Sequence, residues 1–243
     1  GGEDRGRMGL WPWKIRFLTK PTVESSTFCR PTVESAGKIS PIACTSHPPR
    51  SPTGFGASKQ LVWCADTGCV STEQPWAPIL AANIMGMVNL YEAARKHGVG
   101  RIVFASSNHV MGFYRQCDVV DAHSPPRPDG LYGLSKAFGE DLSRLYFDRF
   151  GIETACVRIG SSFPEPVDRR MLATWLSYDD LHRLIVACLT TPVLGHSIIY
   201  GTSNNRVSWY DNRHARHIGF VPQDSSDRFR AAIYERTAEP DVK

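Results

Sequence analysis

The chain has 243 residues, enough for one large α/β domain with a core of its own. Hydrophobic residues make up 42% of the sequence and charged residues 21%, both ordinary fractions for a globular protein. The formal net charge of +4 is mild and no lysine and arginine cluster dominates, so the sequence does not indicate a nucleic-acid partner.

Cysteine usage and hydropathy indicate the cellular compartment in which the protein is expected to work. The seven cysteines form no CxxC pair, which favours reduced, cytosolic thiols over disulfides and predicts no metal site. No uninterrupted apolar run approaches the roughly 18 residues of a membrane span. The N-terminus shows no signal-peptide pattern. We therefore expect a cytoplasmic protein with no membrane partner, and the sequence leaves open whether it forms a homo-oligomer.

Residues 1–60 do not show the pattern of a folded domain. Prolines recur through the segment and interrupt every helical or strand period. The sequence PTVES occurs twice, which is too little for a repeat architecture. Gly54 and Gly56 form a GFG, but no strand precedes it and the GxGxxG spacing is not completed, so we interpret them as turn residues. We predict an irregular or non-native segment over residues 1–60 and a folded domain over residues 61–243.

From residue 61 onward, strand and helix patterns alternate. Apolar and β-branched runs predict strands at residues 61–65, 101–106, 154–160 and 197–201. Apolar residues spaced by three and four predict helices at residues 79–97, 131–150, 180–190 and 227–236. We interpret Asp179 and Asp180 as caps of the third helix. The alternation predicts an α/β fold with a parallel sheet flanked by helices.

Polar residues follow three of the predicted strands, at the carboxyl ends where sheets of this kind bind ligands. The first strand is followed by Ser71, the second by Ser107, Asn108 and His109, and the third by Gly160, Ser161 and Ser162. These positions predict a ligand site at that edge of the sheet.

The stretch LYGLSK opens the predicted helix 131–150. Tyr132 and Lys136 are four residues apart, so a helix would bring both side chains to one face. A lysine ammonium lowers the pKa of a nearby tyrosine, and at about 4 Å with an effective dielectric near 20 the attraction is worth up to ~4 kcal/mol. That shift would make Tyr132 a usable general base. The alternative is an aromatic residue at a helix start with a solvated lysine, and the spacing alone does not decide between them.

Longer segments resemble the extended short-chain dehydrogenases/reductases of the NAD-dependent epimerase/dehydratase family. They are ANIMGMVNLYEAA (82–94), RIVFASSNHVMG (101–112), RPDGLYGLSK (127–136) and VRIGSSFPEP (157–166). The resemblance covers about residues 68–236, and SSNH, GSSFPEP and the segment 170–175 are most similar to the uronate dehydrogenase branch of that family. It implies a Rossmann-like parallel sheet, NAD as cofactor, and oxidation of C1 of a hexuronic acid, glucuronate or galacturonate, to the aldarolactone.

The resemblance also implies roles for single residues. Tyr132 would take the proton from the anomeric hydroxyl, and Ser107 would hydrogen-bond the same oxygen. Lys136 would hold the nicotinamide ribose and lower the tyrosine pKa, so Tyr132 and Lys136 are also the expected cofactor-binding residues. Asn83 would stabilise the site through backbone and water contacts, although a purely structural role is equally compatible with its position.

The sugar acid itself would meet a further set of residues. Arg170 matches the family's arginine, and a guanidinium can hold a carboxylate by two parallel hydrogen bonds. The other positions implied to contact the substrate are Ser71, Asn108, His109 and Ser161. Each has a simpler alternative: Arg170 could belong to a solvated charge cluster with its neighbours, and His109 could be an ordinary loop histidine.

The sequence departs from the family at its N-terminal side. Relatives begin with a strand and a Gly-rich turn that binds the pyrophosphate, and residues 1–60 show neither. Each lost charge-assisted hydrogen bond is worth roughly 1.5–3 kcal/mol, so two losses weaken NAD binding by more than about a hundredfold. A foreign or out-of-frame segment over residues 1–60 would explain the departure, and sequencing the encoding DNA tests it. A catalytically impaired remnant or binding protein of the same family, and a sugar-nucleotide epimerase or dehydratase, are the alternative functions.

Overall fold

The computed structural model describes residues 59–63 and 76–237, with side chains only in the second range. Ser71 and the predicted irregular segment lie outside the described residues, except for Lys59 and Gln60, which begin the first strand. Among the helices in the described ranges, none is both long and apolar enough to cross a membrane.

The described residues form strands at all four predicted places and two short ones besides. The strands are β1 (Lys59–Trp63), β2 (Val99–Ser107), β3 (Val120–Asp121), β4 (Glu153–Ile159), β5 (His196–Gly201) and β6 (Tyr210–Asp211). A four-stranded sheet has the order β1-β2-β4-β5 with every pair parallel, and β3 pairs with β6 in a separate ladder. The predicted parallel α/β fold is confirmed. Strands β3 and β6 are too short to show a sequence period.

The helices agree with the predicted ones in position and differ in regularity. They are α1 (Trp76–Ile79), α2 (Gly86–Lys96), α3 (Leu131–Phe150), α4 (Met171–Thr174), α5 (Tyr178–Thr190) and α6 (Arg230–Arg236). A π-helical stretch, Leu80–Met85, joins α1 to α2, so the predicted helix 79–97 is continuous but widened in its first half. A 3₁₀ turn, Ser226–Phe229, precedes α6 and takes up the start of the predicted helix 227–236.

The predicted caps of α5 are wrong. Ser177 is the N-cap, and its Oγ accepts a hydrogen bond from the backbone N–H of Asp180 at 2.9 Å. Asp180 is buried, and its carboxylate accepts from the backbone of Gln223 and Asp224 and from the hydroxyl of Ser203. Asp180 therefore fastens two later loops to the helix, a long-range contact that no local pattern encodes.

Side chains alternate along β2 between the two faces of the sheet, as a strand period of two requires. Ile102 and Phe104 pack in a core with Tyr91 of α2 and Tyr146 of α3. Val103 faces the opposite side and packs in the core formed with α5. Burying each such side chain contributes about 1.5–3 kcal/mol. In the described part of the chain, β2 is thus covered on both faces, and its carboxyl end remains open for a site.

A buried ion pair connects helix α3 to strand β4. The Glu140 carboxylate accepts from Nη2 and Nε of Arg158 at 2.8 and 2.9 Å and from the hydroxyl of Ser106 at 2.6 Å. Arg158 also donates to the hydroxyl of Tyr200 at 2.8 Å. The network lies directly beneath the carboxyl ends of β2 and β4, whose last paired residues are Ser107 and Ile159.

Candidate active site

A cleft of about 220 Å³ opens at the carboxyl ends of β2 and β4. Its walls come from the end of β2, the loop after β4, the first turns of α3 and the start of α4. The lining includes Ser106, Ser107, Asn108, His109, Tyr132, Lys136, Ser161, Ser162, Phe163 and Arg170. The structure therefore brings the predicted site residues Ser107, Asn108, His109, Tyr132, Lys136, Ser161 and Arg170 into one cleft.

Tyr132 and Lys136 lie on the inner face of the first two turns of α3. Lys136 is 2% exposed, and its Nζ donates to the carbonyl oxygen of Ala105 at 2.9 Å. The same Nζ lies 5.4 Å from the centroid of the Tyr132 ring and 5.4 Å from that of Phe104. A buried ammonium is tolerated where a carbonyl and aromatic faces replace water. The four-residue spacing thus produces the predicted proximity of ammonium and phenol.

Ser107 ends strand β2 and at the same time caps a 3₁₀ turn, Asn108–Met111. Its Oγ accepts from the backbone N–H of His109 at 3.2 Å. Among the described residues, its own proton has only a long contact, 3.5 Å, to Oδ1 of Asn108. Ser107 therefore caps the 3₁₀ turn by accepting a hydrogen bond, which leaves its hydroxyl proton to donate into the cleft.

Asn108 and His109 occupy the 3₁₀ turn on the same wall. Asn108 lies near the Tyr210 hydroxyl, whose pKa is raised mainly by burial. The His109 ring stands edge-on to the Tyr132 ring, with centroids 5.7 Å apart. Tyr210 lies far along the sequence from the predicted site, and no motif pointed to it.

Ser161 and Arg170 stand on the opposite wall, after β4. Ser161 is buried, and its Oγ shares a 2.9 Å hydrogen bond with Oγ1 of Thr174. Arg170 precedes α4 and is exposed, and it has no carboxylate partner among the described residues. The neighbours of Arg170 are engaged elsewhere, since Asp168 accepts from the backbone of Met171 and Arg169 donates to the carbonyl of Thr237. Arg170 therefore forms no ion pair with these neighbours in the described chain.

Asn83 does not line the cleft. It lies in the π-helical stretch, where its Nδ2 donates to Oγ of Ser135 at 2.9 Å, and Ser135 Oγ donates to the carbonyl of Tyr132 at 2.7 Å. Its buried Oδ1 has no hydrogen-bond partner among the described residues. An ordered water is the usual partner of such an atom. Asn83 thus supports Tyr132 from behind, and widened helical turns of this type are frequent at functional sites.

Two other features of the site were not singled out from the sequence. Asp129, inside the segment RPDGLYGLSK, contacts His109, and Gly133 permits α3 to approach the carbonyl of His109 closely. A carboxylate just before a helix start is an ordinary loop feature, so neither had a recognisable signal. In the part of the chain that the structure describes, no three metal-binding side chains come together.

Comparison with known proteins identifies the family. The profile of the "NAD dependent epimerase/dehydratase family" matches residues 59–178. The chain is 61% identical over 171 residues to a uronate dehydrogenase of Pseudomonas putida, covering 70% of this chain and 64% of that protein. It is 34% identical to an L-arabinose 1-dehydrogenase (NAD(P)+) of Haloferax volcanii, covering 62% of this chain and 69% of that protein.

Among solved structures, the chain resembles a tyrosine-to-alanine variant of uronate dehydrogenase from Agrobacterium tumefaciens complexed with NAD. The TM-score is 0.69 and the identity 52%, covering 72% of this chain and 66% of the other. This chain thus spans slightly less than two thirds of the length of the uronate dehydrogenases it matches. The resemblance predicted from the sequence motifs is confirmed, and the chain belongs to the NAD dependent epimerase/dehydratase family.

Proposed function

We propose that the chain is an NAD-dependent dehydrogenase that oxidises C1 of a hexuronic acid, glucuronate or galacturonate, to the aldarolactone. The observation that carries the proposal is the meeting of Tyr132, Lys136 and Ser107 in one cleft at the carboxyl ends of two parallel strands. The identity of 61% to a uronate dehydrogenase supports the choice of substrate class.

Each side chain then has a chemical task. Tyr132 accepts the proton of the C1 hydroxyl as general base, and Ser107 donates a hydrogen bond to the same oxygen. Lys136 stabilises the phenolate electrostatically and offers N–H donors that fit ribose hydroxyl groups. NAD, when bound, accepts the hydride from C1, so the products are the lactone, NADH and one proton.

The substrate carboxylate requires a cation in the cleft. Arg170 fits this requirement because it lines the cleft and no described carboxylate pairs with it. A guanidinium holds a carboxylate by two parallel hydrogen bonds, which fixes the orientation of the sugar as well as binding it. Ser71, Asn108, His109 and Ser161 complete the proposed contacts with the sugar hydroxyl groups.

The test is NADH formation from glucuronate and from galacturonate, with Tyr132→Phe as the control. Turnover that this substitution abolishes supports the dehydrogenase. Absence of turnover in the unmutated chain supports the alternative, an impaired member of the family, which is favoured by the missing GxGxxG spacing in residues 1–60.

A further inference from the structure

Asp129 and His109 form a contact pair at the edge of the cleft. Both carboxylate oxygens of Asp129 meet Nδ1 of His109, at 3.0 and 2.8 Å. The side chains are 29% exposed for His109 and 32% for Asp129, so water has only partial access to the contact. An ionised carboxylate can only accept hydrogen bonds, so the shared hydrogen belongs to Nδ1.

Close backbone approaches hold the pair in place. A Cβ atom at Gly112 would overlap the Asp129 carboxylate, and a Cβ atom at Gly133 would overlap the carbonyl oxygen of His109. The backbone N–H of Asp129 also donates to that carbonyl at 3.4 Å. The carboxylate therefore packs directly on the chain on one side, while helix α3 presses on the histidine backbone from the other.

Among the described residues, the pair reaches the cleft through His109. His109 lines the cleft together with Tyr132 and Ser107, whereas Asp129 does not. The rings of His109 and Tyr132 meet edge to face, with an interplanar angle of 77°. Any effect of Asp129 on a bound ligand must therefore pass through the orientation and the tautomer of the imidazole.

We propose that Asp129 is a positioning residue, which fixes the ring of His109 and keeps its hydrogen on Nδ1, so that Nε2 accepts a hydrogen bond from a hydroxyl group of the sugar acid. The identity of the ligand rests on the function proposed above. A neutral imidazole has one donor and one acceptor nitrogen, and the partner of one nitrogen decides which is which. Asp129 thereby sets the polarity of one wall of the cleft.

The tautomer can be measured on the unmutated full chain without any ligand. Nitrogen-15 NMR of the histidine rings, at a pH where His109 is neutral, is expected to find its hydrogen on Nδ1. The His109→Ala spectrum assigns the signal. In Asp129→Asn the amide NH₂ can donate to Nδ1, so we expect the hydrogen to move to Nε2. A hydrogen on Nε2 in the unmutated chain, or one unmoved by Asp129→Asn, overturns the proposal.

Kinetics separate a positioning role from a structural one. Loss of one substrate hydrogen bond should raise KM for the hexuronate by about tenfold in Asp129→Asn while kcat changes by less than about twofold. In a His109→Ala background, Asp129→Asn should add no further loss, because it acts through a ring that is gone. Additive losses would show that Asp129 only holds the loop and would overturn the proposal.

Asp118→Asn is the matched control. Asp118 lies in the same connection between β2 and α3 but pairs with Arg115 away from the cleft. The KM of the Asp118→Asn variant for the hexuronate should therefore stay unchanged. The two proposals can fail separately. If the chain shows no turnover but the hydrogen on Nδ1 still depends on Asp129, the proposed dehydrogenase function is contradicted and the tautomer assignment is supported. A chain that turns over with the hydrogen on Nε2 contradicts the role of Asp129 alone.

Discussion

At the scale of a single residue, we propose that Arg170 distinguishes a sugar acid from a neutral sugar. It lines the cleft, while Asp168 accepts a hydrogen bond from the backbone of Met171 and Arg169 donates one to Thr237. The sequence predicted its position through the resemblance, and left open whether its charge was already paired. Only the fold answers that question, because pairing depends on where the neighbouring side chains turn.

Arg170→Ala should raise KM for glucuronate or galacturonate roughly tenfold to hundredfold, since a hydrogen bond to a charged group is worth about 1.5–3 kcal/mol. It should also remove the preference for the uronic acid over the matching neutral aldose. Steady-state kinetics with both sugars measures this, and Arg115→Ala, an exposed arginine outside the cleft, is the control. An unchanged preference would exclude Arg170 as the carboxylate partner.

Among the secondary-structure elements, helix α3 supplies the two central residues of the site. Its first turns place Tyr132 and Lys136, and the helix was predicted with its observed bounds because its period is regular. What its sequence did not reveal is how closely it packs. Gly133 lies against the carbonyl of His109, and Glu140 reaches Arg158 of β4, both contacts between residues distant in the chain.

Gly133→Ala tests the close approach. The new methyl group would overlap the His109 carbonyl, so α3 must shift away from the 3₁₀ turn, with an expected loss of about 1–3 kcal/mol in the free energy of unfolding and a larger fractional loss of turnover. Gly130→Ala is the matched control, because Gly130 has an extended backbone and no atom within 4 Å of the added Cβ. Urea denaturation and turnover compare the two, and equal behaviour of both variants would contradict the packing argument.

Glu140→Gln tests the buried ion pair. Removing one charge leaves the Arg158 guanidinium, 1% exposed, without its counter-ion. Breaking a buried pair in this way costs about 3–5 kcal/mol. The exposed pair of Arg144 and Asp148 on the same helix is the comparison, and Asp148→Asn should change stability by less than about 0.5 kcal/mol. A small change in the urea midpoint for Glu140→Gln would show that the network does not stabilise the fold.

For the whole molecule, local periodicity was sufficient for the fold class and insufficient for the tertiary contacts. The spacing of apolar residues predicts the sheet strands and helix α3, and this in turn predicts where the motifs lie on them. The role of Asp180, the proximity of Tyr210 to Asn108 and the position of Asn83 behind the cleft depend on which distant segments meet. Residues 1–60 contributed the prediction with the largest functional consequence, since they contain no recognisable phosphate-binding turn.

The expected consequence is weak NAD binding by the chain as written. Losing two charge-assisted hydrogen bonds to the pyrophosphate lowers affinity by more than about a hundredfold. Fluorescence titration with NADH measures the dissociation constant directly. A micromolar constant would contradict the prediction and would mean that other residues bind the phosphates.

The assignment of the cleft as an active site is tested by the initial rate of NADH formation from glucuronate or galacturonate. The NAD concentration is raised to several times the roughly 1 mM upper end of ordinary Michaelis constants. We predict turnover that rises with NAD without early saturation, and that falls by about a hundredfold or more in Tyr132→Phe. No turnover at any NAD concentration, or turnover that Tyr132→Phe leaves intact, would contradict the assignment of this cleft as the active site.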